Sequence, residues 1–176
     1  EVISPGLTVV MNSFVTLAGN YVPVFADVNP LTWNIDIETI LPKVTKKTRV
    51  IMPVSLFGLP VDIEPIMKFA SENNIKVIDD SAETIMGIYN NKFAGSHADI
   101  AVYSFENKKH MTSGGEGGMV ITSNKDLAVK VRQHAGIGYK TLTAATGRIS
   151  LASSEFQNPT YKRHEVLGLN YRMTPL

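Results

Sequence analysis

The sequence predicts an α/β domain built on a buried, mostly parallel sheet. Three observations point there. Short apolar runs alternate with helical stretches along the chain, as in Arg49–Val54 and then Asp62–Glu72. The runs are continuously apolar rather than alternating, which is the mark of strands covered on both faces. Polar and charged residues gather just after the runs, as in Asp79-Asp80-Ser81-Ala82-Glu83. Strands that alternate with helices favour parallel pairing through right-handed crossovers.

The elements can be taken in order. Val2 and Ile3 read as a strand already under way. Thr8 to Ala18 reads as a mostly apolar helix, with Thr8 as a possible N-cap and Gly19-Asn20 as its stop. Val22 to Ala26 is a short buried strand, and Asn29-Pro30 marks a turn. Asp36 to Leu41 is a short helix with Asp36 as its N-cap. Arg49 to Val54 is the next strand, and Gly58-Leu59-Pro60 breaks the chain after it. Asp62 to Glu72 is an amphipathic helix with Ile63, Ile66, Met67 and Ala70 on one stripe, ended by Asn73-Asn74. Ile75–Asp79, Ile100–Phe105 and Gly118–Thr122 are three further strands, and Asn124 to Gln133 is a helix facing inward through Leu127, Ala128 and Val131. From 136 to 164 the pattern dissolves into Gly, Thr, Ser and Asn and reads as a long loop.

Composition narrows the class. Of 176 residues, 44% are hydrophobic and 19% charged, which is enough to build a core and too apolar for disorder. Seventeen basic residues against 16 acidic leave a net charge of +1, so nothing calls for nucleic acid or an anionic membrane as partner. With no cysteine, a disulfide framework and a thiolate metal site are both excluded. His97, His110, His134 and His164 lack metal-ligand spacing. No run approaches the ~18 apolar residues of a membrane span, and the first residues do not read as a signal peptide. Cytoplasm is the default compartment. The ends, without a starting Met and with a helix about to begin near Leu176, read as those of a piece of something longer.

Ligands of open α/β sheets bind outside the carboxyl ends of the strands. That edge receives Asp79 to Glu83, then Ser104 to His110, then the glycine cluster Gly114 to Gly118. Taken singly, Lys108-Lys109 is a solvated pair, Asp79-Asp80 a turn or cap, and Ser104 an ordinary strand-end hydroxyl. The glycine cluster is no Walker A loop. Together they suit one chemistry. A lysine amine can form an imine with the aldehyde of pyridoxal phosphate, a carboxylate can keep the pyridine nitrogen protonated, and a hydroxyl can hold the phosphate. Lys109, Asp80 and Ser104 can fill those roles. Composition and spacing by themselves stop at an α/β enzyme of unassigned reaction.

Val77-Ile78-Asp79-Asp80-Ser81-Ala82-Glu83 resembles the Val-Ile-Glu-Asp-Ala-Ala-Gln motif of the DegT/DnrJ/EryC1/StrS family of pyridoxal-phosphate-dependent, fold-type I sugar aminotransferases. Ser104-Phe105, Lys109, Thr112 and Gly115 to Met119 resemble that family's Ser-Phe…Lys…Thr-Thr-Gly-Glu-Gly-Gly-Met block. Pro23 to Asp27, Thr32 to Asp36 and Leu167 to Met173 also look like family blocks, in family order. The resemblance implies a three-layer α/β/α, aspartate aminotransferase-like large domain. Residues 1–176 would be one partial domain, lacking an upstream phosphate loop and a small C-terminal domain. It implies Lys109 as the Schiff-base lysine, Asp80 as the partner of the pyridinium nitrogen and Ser104 as a phosphate ligand. Glu83 would stand near the cofactor's phenolic oxygen, where the family usually has Gln. Val9 would lie over the ring, where the family has a larger side chain. Asn170 would reach the phosphate in a neighbouring subunit, which implies a homodimer with shared sites.

Two further departures stand out. Ser55 replaces a common His, and the Gly114-Gly115 pair is one residue longer than usual. The expected reaction passes an amino group from an amino acid, L-glutamate by resemblance, to a nucleotide-linked keto-sugar in amino-deoxysugar or surface polysaccharide biosynthesis. Sugar dehydratases of the same fold replace the lysine with His, and His110 is adjacent. Lys109 keeps the family's offset of five from Ser104, which favours transfer. A non-catalytic regulatory or binding member is the other alternative; covalent cofactor binding separates it from an enzyme.

Overall fold

The computed structural model describes residues 1–173. Among the described residues, eight strands and four α-helices run in chain order: β1 Val2–Pro5, α1 Met11–Ala18, β2 Pro23–Ala26, α2 Ile37–Ile40, β3 Val50–Ile51, α3 Ile63–Glu72, β4 Lys76–Asp80, β5 Ile88–Tyr89, β6 Lys92–Phe93, β7 Ile100–Ser104, β8 Gly118–Ile121 and α4 Lys125–Ala135. Two compact units divide the chain, Glu1–Ile121 and Thr122–Leu176. No helix among the described residues is long and apolar enough to cross a membrane.

The first unit is a mixed sheet in the order β2-β1-β3-β4-β7-β8. The pairs from β2 to β7 are parallel, and β8 returns antiparallel to β7 with Ser104 opposite Gly118. The carboxyl ends of the parallel strands therefore share one edge with the start of β8. A mostly parallel sheet with helices is the partial α/β domain expected from the sequence.

The core is aliphatic. Ile3 of β1, Ile51 of β3 and Val77 of β4 meet Ile40 of α2 and Ile63, Ile66 and Ala70 of α3. The stripe read from the sequence of α3 is the buried one, with Met67 packed at its margin. Asp36 caps α2 as expected, through a reciprocal capping box with Thr39. That satisfies two backbone donors that the first helical turn leaves over.

One expectation changes, and two features appear that the sequence had left unread. Thr8 does not cap α1: the helix begins at Met11 with Val10 at the cap position and no side-chain bond, and the Thr8 hydroxyl is buried without a partner. α1 also turns its polar side inward. Asn12 and Thr16 are buried, while Met11, Phe14, Val15 and Leu17 are half-exposed. Residues 88–93, unassigned in the sequence, form a hairpin. Asn90 and Asn91 both adopt left-handed backbone (φ 46° and 61°), as a two-residue primed turn requires.

The second unit carries α4, capped by the Asn124 side chain on the N–H groups of Asp126 and Leu127. Leu127, Ala128 and Val131 are half-buried. Beyond it, isolated antiparallel bridges join Gly136 to Asn170 and Tyr139 to His164. The segment 136–164 holds one 3-10 turn, Ser153–Glu155. The helix expected near the C-terminus falls in part on 174–176, outside the described residues.

Candidate functional site

The site is built at the carboxyl edge of β4 and β7. Asp80 is the last residue of β4. Its backbone is fixed on both sides, donating to the Pro53 carbonyl at 2.9 Å and accepting from the Ser55 N–H at 3.0 Å. The residue is only 7% exposed, and one carboxylate oxygen accepts the Ala82 N–H at 3.1 Å. Burial raises its pKa above the ordinary carboxylate value; the Ala82 N–H, the Asn12 amide and the Lys109 charge pull the other way. Asn12 comes from α1, and its buried Nδ2 has no hydrogen bond closed at normal geometry. The sequence offered no sign of Asn12, because its place beside Asp80 depends on α1 turning its polar side inward.

Ser104 ends β7. Its Oγ accepts the Glu106 N–H at 3.3 Å and so shapes the turn that leads to the lysines. Lys108 donates its N–H to the Glu106 carboxylate at 3.1 Å, and Lys109 donates its own to the Glu106 carbonyl at 3.0 Å. This turn makes the two lysines unequal. Lys109 reaches back to β4's continuation, its Nζ 3.1 Å from Glu83 Oε1 in a half-buried ion pair. The other Glu83 oxygen accepts the Phe57 N–H at 3.0 Å. The Phe57 N–H is the main cause that holds the Glu83 carboxyl below its ordinary range; partial burial opposes it and Lys109 assists.

The glycines beside the lysine have separate reasons. Gly115 has φ +118°, a backbone state that side chains resist. Gly118 lies against β7, where an added Cβ would come within 2.8 Å of the Tyr103 carbonyl oxygen.

The structure thus brings Asp80, Glu83 and Lys109 together, with Ser104 at the base of the lysine turn. Val9 lies exposed in the turn before α1, its carbonyl accepting the Asn12 N–H. Asn170 belongs to the second unit, where its Oδ1 accepts from the Arg172 guanidinium at 2.9 Å.

Asp79 points to the opposite face of β4 from Asp80, as strand alternation requires. It is 3% exposed, and its Oδ1 is an unpaired buried atom. Burial first, and then the Asp80 charge, push its carboxyl up to about 6; the Ser81 and Ser55 hydroxyls and the Gly95 N–H only partly offset this. The Ser81 hydroxyl itself closes no hydrogen bond. This burial has a consequence for stability. Below pH 3.8 folded and unfolded chains both hold the Asp79 proton. Between 3.8 and about 6 only the folded chain keeps it, so stability falls across that window and stays lower above it. Asp79→Asn removes that loss. At pH 7.5 the variant should be more stable by about 1–3 kcal/mol, and urea midpoints of both proteins at pH 4 and pH 7.5 check it. Equal pH dependence in the two would refute the assignment.

Buried polar atoms are normally paired. Here Thr8 Oγ1, Asn12 Nδ2, Asp79 Oδ1 and Ser81 Oγ are not. All four belong to segments at this end of β1 and β4.

Comparison with known proteins agrees with the geometry. The model of the DegT/DnrJ/EryC1/StrS aminotransferase family matches residues 1–176. GDP-perosamine synthase of Caulobacter vibrioides is 35% identical over 174 residues, covering 99% of this chain and 42% of that protein. The aminotransferase from Psychrobacter cryohalolentis superimposes with a TM-score of 0.85 at 34% identity, covering 98% of this chain and 42% of that one. NtdA from Bacillus subtilis, solved with bound cofactor PMP, superimposes with a TM-score of 0.80 at 30% identity, over 98% of this chain and 35% of that one. The chain therefore spans less than half the length of these relatives. From fold, motifs and relatives together, it belongs to the DegT/DnrJ/EryC1/StrS aminotransferase family.

Proposed function

We propose that the full-length protein is a pyridoxal-phosphate-dependent aminotransferase. It would move an amino group from an amino acid, L-glutamate by resemblance to the family, to a nucleotide-linked keto-sugar in the cytoplasm. The observation that carries this reading is the convergence of the Lys109 amine with the buried Asp80 and the half-buried Glu83 at one sheet edge. The sugar class rests on relatives such as the GDP-perosamine synthase.

The residues fit the cofactor. When bound, pyridoxal phosphate supplies a carbonyl for an amine and a ring that withdraws electrons. Lys109 offers the amine at the end of a short, hydrogen-bonded turn. Asp80 is a carboxylate whose pKa burial raises, and a protonated ring nitrogen beside it would offset that cost. It would hold the proton there. The Ser104 oxygen already accepts one N–H, which leaves its O–H to donate to a phosphate oxygen. Val9 would give apolar cover over the ring. Once released, the Lys109 amine would move the proton at the donor's α-carbon.

A homodimer with shared sites would bring Asn170 of one copy to the phosphate held by the other. The half-exposed apolar side of α1 supports contact with further protein, since such surfaces are seldom left to water.

The test is an absorption spectrum of the full-length protein with pyridoxal phosphate, before and after L-glutamate. A visible band that fades on adding glutamate is expected. A protein that forms no band would sink the reading.

A further inference from the structure

Glu83 stands between two groups that can only donate. The Phe57 backbone N–H lies 3.0 Å from one of its oxygens and the Lys109 ammonium 3.1 Å from the other. A carboxylate serves both at once, because it has two accepting oxygens and no proton to place. A glutamine cannot. If its oxygen takes the Phe57 N–H, its amide N–H₂ faces the ammonium, donor against donor.

The Phe57 end of this contact lies in a defined turn. Phe57 has left-handed backbone (φ 53°, ψ 30°), sits inside the 3-10 turn Leu56–Gly58, and its ring meets Trp33 edge to face at 6.0 Å. The turn is also anchored from behind, where the Leu56 N–H donates to the Asn34 side chain at 3.0 Å. Glu83 therefore connects a hydrogen-bonded turn to the end of a long lysine side chain. Lys108, one residue earlier, is exposed, and it is its backbone N–H rather than its ammonium that the Glu106 carboxylate holds.

We propose that Glu83 is a positioning residue for Lys109: a two-acceptor clamp that docks the ammonium in the cofactor-free protein and withholds the amine until a carbonyl ligand arrives. This rests on the reading of Lys109 as the amine that captures the cofactor. A docked ammonium has no lone pair to offer, and an amine attacks a carbonyl only after leaving the contact and losing its proton. The clamp guards the lysine against adventitious aldehydes and sets where its chain rests.

The test uses no pyridoxal phosphate, so it fails separately from the aminotransferase reading. The full-length, cofactor-free protein is treated with formaldehyde and cyanoborohydride, and methylation at Lys109 and Lys108 is tracked by peptide mass spectrometry. Glu83→Gln is expected to raise the Lys109-to-Lys108 labelling ratio about two- to fivefold, the size of effect a half-exposed ion pair supports. Glu83→Ala, which removes both acceptors, should raise it as well. Loosening of the whole turn would raise both lysines together and leave the ratio unchanged. An unchanged or lower ratio in both variants overturns the proposal.

Discussion

Lys109→Ala is expected to abolish covalent capture of pyridoxal phosphate and to lower aminotransfer by at least about 10³-fold, within the range that a nucleophile and proton carrier together supply. The loss should be chemical and not structural. Lys109 and Glu83 keep 22% and 31% of their side-chain surface exposed. Ion pairs of this kind contribute about 0–1 kcal/mol, so the urea midpoint should barely move. Glu83 keeps its Phe57 contact in the variant and is not left buried without a partner. Two measurements check this: borohydride reduction with peptide mapping, and a denaturation curve. Cofactor reduced onto the protein at another lysine with activity retained would overturn the assignment. The neighbouring Lys108→Ala should behave as wild type in both assays.

Asp80→Asn should separate activity from stability in opposite directions. Its carboxylate is held on the sheet edge by the Ala82 N–H, with Asn12 beside it, and is almost fully buried. An amide of the same shape fills the space but cannot hold a proton on a ring nitrogen. Turnover should fall by about 10²–10³-fold, the cost of removing one preorganised electrostatic contact made in the transition state. Stability of the cofactor-free protein should move the other way. Burial raises the Asp80 pKa in the folded chain above 3.8, so ionisation of the carboxyl costs stability as pH rises through that value. The Asn variant does not ionise and should unfold at higher urea than wild type at neutral pH. A merely structural role would lower both quantities. Parallel losses would therefore reject the ring-nitrogen assignment.

Much of the fold was legible in the chain. Short apolar runs marked β2, β4, β7 and β8 to within a residue or two. The α3 stripe and the Asp36 cap were readable because each depends on neighbours three or four residues away. The hairpin β5–β6 escaped, since two-residue strands carry no periodicity and only Asn90-Asn91 signalled the turn. The start of α1 was misplaced for a related reason: Thr8 has a capping side chain, but the backbone does not enter the helix until Met11.

The site divides in the same way. By itself the sequence determined which groups stand at the strand ends: Asp80, Glu83, Ser104 and Lys109, each a few residues past an apolar run. Local order along the chain fixes that much. Only the tertiary structure decided their pairings. Glu83 meets both Lys109 and Phe57, each 26 residues away in the chain. α1 brings Asn12 to Asp80 from the far end of the same unit, and Asp79 is sealed on the opposite face with an unpaired oxygen. Hydrogen bonds and burial act over a few ångströms in space, so no local pattern in the chain could have announced them.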